Sequence, residues 1–189
     1  MLVATREILL EKLLLLPQLV DAYQHGETGF AVRAGKWLKD LEQSLARLRS
    51  PLTAMVSRQR ARIIAAQDGF REPVLNSAKM SRRKGINVTA SLALAEVEAD
   101  LVAQLKEIDE KFDAWRDKLA QFISVASNAA PIPMPPTDPR RDWLNQIWRS
   151  WGQIEETRAM YSYLNTVMAP GDRLHLFGEL LENNIRSSQ

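Results

Sequence analysis

Residues 90–127 read ASLALAEVEADLVAQLKEIDEKFDAWRDKLAQFISVAS, and this stretch decides the fold class. Leu94, Leu101, Leu105, Ile108, Phe112, Trp115, Leu119, Phe122 and Ala126 recur mostly at alternating steps of four and three. A spacing of about 3.5 residues keeps apolar side chains on one seam of a helix, as in coiled coils. The one gap in the seam is Glu98. Thr89 is a candidate N-cap, so a helix is predicted from Ala90 to about Ser127, ~55 Å long at 1.5 Å per residue. A helix of that length needs a facing helix along its whole seam, from this chain or from another.

The segments on either side read as helices too. Leu9, Leu10, Leu13, Leu14, Leu16, Leu19 and Val20 give a broad apolar face to a first helix over about Thr5–Tyr23. Pro17 lies inside it and predicts a kink or break. The glycines of His25-Gly26-Glu27-Thr28-Gly29 mark a loop. Phe30, Ala34, Trp37, Leu41, Leu45 and Leu48 set a second helix, and Ser50-Pro51 opens a third over Leu52–Gln67 that ends at Asp68-Gly69. A shorter helix is predicted from Glu72-Pro73 to about Lys84-Gly85. Beyond the long helix, the run from Pro131 to Pro139 carries five prolines and reads as an extended, stiff connector. Asp138-Pro139 restarts a helix, Ala169-Pro170-Gly171-Asp172 is a turn, and a last helix follows. The expected class is therefore all-α: a bundle over 1–128 with one long coiled-coil-like helix, a Pro-rich linker over 129–138, and a C-terminal helical hairpin over 139–189.

Composition narrows the chemistry. The chain has no Cys, which removes thiolate catalysis, iron–sulfur ligation and Cys-bound zinc. The longest uninterrupted apolar run in the first helix is Leu13–Leu16, far short of the ~20 residues that span a bilayer. Arg6, Glu7, Glu11 and Lys12 interrupt the apolar start, so it does not read as a signal peptide, and a cytoplasmic protein is expected. Nothing matches a phosphate-binding loop or a Ser-His-Asp arrangement. Glu155-Glu156 followed by Glu179-x-x-Glu182 falls short of the carboxylate set of a magnesium-dependent nucleotide pyrophosphatase, because Ala159 stands where a further Glu is needed. No cofactor, metal ligand, small-molecule substrate or catalytic residue is assigned.

Charge is uneven. From Arg33 to Lys84, thirteen Lys/Arg face four Asp/Glu; from Glu96 to Asp117, eight Asp/Glu face three Lys/Arg. Arg58, Arg60, Arg62, Arg82, Arg83 and Lys84 are the candidate contacts to a phosphate backbone, by charge and by the forked donors of Arg. A solvated face, with Arg82–Lys84 placed favourably at a helix C-terminus, accounts for the same residues without any ligand. Trp143, Trp148 and Trp151, with Phe112 and Trp115 on the long helix, are candidate partner-binding residues, since Trp dominates many interface hot spots. Burial in a small core explains them equally well. The expected function is a non-enzymatic helical interaction subunit that binds a protein partner or itself. The alternative is a small nucleic-acid-binding subunit.

Overall fold

In a computed structural model, residues 1–70, 80–133 and 140–187 are described. Among them are seven α-helices and no strand: α1 (Leu2–Gln24), α2 (Phe30–Arg47), α3 (Leu52–Gln67), α4 (Arg82–Ala129), α5 (Arg140–Trp151), α6 (Arg158–Val167) and α7 (Pro170–Ser187). The all-α class is as expected. The helix predicted from Glu72 and most of the proline-rich connector lie outside the described residues. Two compact units divide the chain: Ala4–Lys106, and Met1–Val3 with Glu107–Gln189. The division falls inside α4, whereas the sequence reading sets it at the proline-rich stretch.

The N-terminal unit is built from α1, α2, α3 and the first half of α4. Its helices end in left-handed caps. Gly26 (φ 65°) closes α1, where the Glu27 N–H bonds the Ala22 carbonyl; Gly69 (φ 103°) closes α3, where the Phe70 N–H bonds the Ala65 carbonyl. At the end of α2 the same role falls to Arg49 (φ 54°), with the Ser50 N–H on the Leu45 carbonyl. A side chain in that conformation costs roughly 1 kcal/mol that glycine avoids. Arg49→Gly is therefore expected to raise unfolding stability by up to about 1 kcal/mol in a urea titration. Leu38, Leu41, Leu45, Val56, Val97 and Leu101 are fully buried and anchor the core.

Two local expectations are corrected here. α1 is one continuous helix through Pro17, so of the kink or break expected there the break does not occur. Pro17 is exposed, so the carbonyl it leaves without an N–H donor, that of Leu13, lies on the outer side, where water can serve it. α4 begins at Arg82, not Ala90, and Thr89 is buried within it. The true cap is Ser81, whose Oγ accepts the Lys84 N–H at 3.3 Å.

The C-terminal unit combines the second half of α4 with α5, α6 and α7. The expected hairpin is in fact three α-helices. The chain turns at Gly152, and a 3-10 turn over Glu155–Thr157 precedes α6. A Cβ at Gly152 would overlap the ring of Tyr161, so that ring seals the turn. The Thr157 hydroxyl donates to the Trp151 carbonyl and holds it from the other side. The core is aromatic. Phe122 of α4 lies 4.7 Å from Trp148, 6.2 Å from Trp151 and 6.3 Å from Phe177 between ring centroids. Arg173 stacks its guanidinium 4.8 Å from the Trp148 ring centre and bonds the Asn165 side-chain oxygen, while its buried Nε has no partner. Burial lowers the pKa of this guanidinium, and Tyr161 acts in the opposite sense. Asp172 is buried one residue earlier, and its carboxylate accepts the backbone N–H groups of Leu2 (2.8 Å) and Val3 (3.0 Å), capping the first turn of α1.

Candidate interaction surface

The basic residues do not converge on one anion. Arg60 on α3 pairs with Glu42 on α2 at 2.8 Å. Arg62 pairs with Glu96 on α4 at 2.8 Å and bonds the Gln59 side-chain oxygen at 2.5 Å. Arg82 donates to the Gln67 carbonyl at 2.6 Å and Arg83 to the Gly26 carbonyl at 3.2 Å. Gln67 is the last residue of α3 and Gly26 lies just past the end of α1, where carbonyls lack a donor from their own helix. Arg82, Arg83 and Lys84 thus stand at the N-terminus of α4, not at a helix C-terminus as expected. Cations there oppose the helix dipole, and two of them are offset by the C-terminal ends of neighbouring helices. Only Arg58 and Lys84 of the six are exposed without a side-chain bond or ion pair among the described residues. Between these elements, Ala66, Phe70, Met80, Arg82, Ile86 and Thr89 line a cavity of about 30 Å³, room for water and little else.

The Arg62 hydrogen bond is the main reason the Glu96 carboxyl is held below its ordinary 4.5. Burial opposes this, and the charges of Arg62 and Arg58 and a bond from Gln59 add to it. A carboxylate with a depressed pKa stabilises the fold above its unfolded value and loses that contribution as pH falls through the folded one. Glu96→Gln should therefore lower the melting temperature slightly at about pH 7 and by less at about pH 3, as the wild-type carboxyl takes up its proton. An equal difference at both values would show that the ion pair is not the source.

The expected partner-binding aromatics are mostly interior. Trp148 and Trp151 are 1% and 2% exposed, and Phe112 is 3% exposed. They make the core of the C-terminal unit and present no surface. Trp143 and Trp115 are half-buried; Trp115 stacks on Phe112 at 5.8 Å. The long seam is likewise closed within the chain: Leu94, Leu101, Ile108, Leu119, Phe122 and Ala126 are buried. The 3.5-residue repeat correctly marked an apolar seam, but such a repeat carries no information about which helix covers it.

One apolar surface lies on α1. Leu10, Leu13, Leu14, Pro17 and Val20 recur at helical spacing on the flank beside buried Leu9 and Leu16, with Leu14 turned furthest outward. Leu14 is 76% exposed and Val20 42%. The stripe continues into a cavity of about 90 Å³ lined by Leu16, Leu19, Val20, Tyr23 and Phe30 with Ser91, Leu94, Ala95 and Glu98. Arg83 touches Gly26 while Glu98 neighbours Leu16, so α1 runs antiparallel to α4 and the two helices wall a groove. Glu98, the gap in the seam, is among the residues that line this cavity and is the one acid there. Glu7 and Asp21 lie in line with Leu14 on the outer face of α1, one heptad to either side. The sequence reading assigned these leucines to one broad face, and burial divides that face into a covered part and an exposed flank.

Comparison with family models, curated proteins and solved structures gives no match for the chain. Among the described residues, no three His, Asp or Glu side chains are placed to hold a metal ion, and no helix is long and apolar enough to cross a membrane.

Proposed function

We propose that the chain is a non-enzymatic, cytoplasmic helical interaction module that binds protein through the exposed apolar face of α1. The observation that carries this is Leu14, which leaves three-quarters of an aliphatic side chain in water on the outer face of α1. Interface hot spots are built on such apolar anchors. A photo-crosslinking amino acid at position 14 of the full chain should give protein adducts in cells, and one at position 43, on the polar side of α2, should not. No adduct from position 14 would overturn the reading.

One observation favours nucleic acid as a second reading: α4 opens with three cations and no acid in its first turn. Binding of labelled RNA or DNA that falls steeply between about 50 and 200 mM salt, and is lost in Arg58→Glu/Lys84→Glu, would support it.

A further inference from the structure

The cavity between α1 and the first half of α4 is graded from floor to mouth. Leu16, Leu19, Phe30 and Leu94 are buried and make its floor; Val20, Ala95 and Glu98 are exposed and make its mouth. Tyr23 and Ser91 stand between them, half-buried, and the Tyr23 and Phe30 rings lie 5.1 Å apart between centroids. Glu98 is the one charged residue in this lining, and it makes no hydrogen bond or ion pair among the described residues. Its own helix offers it no cation, because Leu94, Ala95, Leu101 and Val102 occupy the positions three and four residues away. Glu96, two residues earlier, is the contrast: it accepts from both Arg62 and Gln59. An uncompensated carboxylate thus stands at the rim of an apolar hollow.

We infer that this cavity is a binding site for a small free amine, a primary alkylammonium whose tail fills the apolar floor while its head pairs with Glu98 at the mouth. The sign of the ligand follows from Glu98, since an anion brought to the mouth would meet like charge. Its size follows from the volume of about 90 Å³, which leaves room for about three or four carbons where a cavity of roughly 150 Å³ admits the six of benzene. Its direction follows from the gradient of exposure. A lysine side chain from another protein enters head first and would carry its ammonium to the apolar floor, where an unpaired charge is costly. A free amine enters tail first and leaves its charge at the rim. Leu14 is not in the lining, so the site does not depend on the protein-binding face proposed above.

Butylammonium chloride, titrated to about 50 mM into the isotope-labelled full chain, should give saturable amide shifts at Val20 and Leu94 with a Kd of about 1–10 mM, as so small a ligand permits. Pentanoate, which carries the same four-carbon tail with the opposite charge, should bind at least about tenfold more weakly. Glu98→Gln should remove the difference between the two, and Ala95→Leu, which fills the mouth, should abolish the shifts from both. Both positions are exposed, so helical circular dichroism should be unchanged. Nα-acetyl-lysine methylamide, the head-first ligand, should bind more weakly than butylammonium. Equal binding of butylammonium and pentanoate to the wild-type chain, butylammonium binding unchanged in Glu98→Gln, or shifts that survive Ala95→Leu would each overturn the site. So would the absence of a saturable shift, or a lysine derivative that binds as tightly as the free amine.

Discussion

Phe122→Ala is expected to destabilise the C-terminal unit by about 3–5 kcal/mol, the largest effect of any single truncation considered. Phe122 is fully buried, and its ring meets Trp148, Trp151 and Phe177 at once. Removing it deletes transfer energy and opens a cavity whose walls are rigid rings, which cannot collapse inward as aliphatic chains can. Trp148 and Trp151 are themselves fluorescent reporters of the site, so a urea titration followed by their emission measures the loss directly. Val125→Ala, one turn away and 38% exposed, is the control and should change stability by less than about 0.5 kcal/mol. Equal effects at the two positions would mean that the aromatic cluster is not what holds this unit.

The second large effect needs no core residue. Ala103→Pro is expected to cost about 3 kcal/mol or more, although Ala103 is exposed. The ring removes the N–H that bonds the Ala99 carbonyl and clashes with that carbonyl, in the stretch of α4 that carries buried Leu101. Ala103→Gly, which keeps the N–H, should cost only about 1 kcal/mol. A Pro variant as stable as the Gly variant in thermal melts would show that the helix tolerates a break before Lys106.

Helices whose ends are written in local chemistry were legible in the sequence. α3 runs from Leu52 to Gln67 as predicted, because Ser50-Pro51 and Asp68-Gly69 punctuate it without help from the rest of the fold. The start of α4 was not legible, because Gly85 and Asn87-Val88-Thr89 have the composition of a turn and a cap. Ile86 and Thr89 instead face Ala66 and Phe70, and that packing overrides local preference. The break at Gly152 was missed for a related reason: it depends on the ring of Tyr161, nine residues on. The basic cluster was read correctly as exposed charge, but its local partners were not legible, because the carbonyls of Gln67 and Gly26 that accept from Arg82 and Arg83 are acceptors every sequence possesses. The tryptophans were open between core and interface, and only the position of Phe122 resolves Trp148 and Trp151 as core.

The capping of α1 by Asp172 fixes an order of events during synthesis. The carboxylate that accepts the amides of Leu2 and Val3 is made 170 residues after Leu2. At 5–20 residues per second, the first turn of α1 waits roughly 10–35 s for its cap. All of Ala4–Lys106 is synthesised before Asp172, so the leucines of α1 are made while the helix they belong to still has an uncapped end.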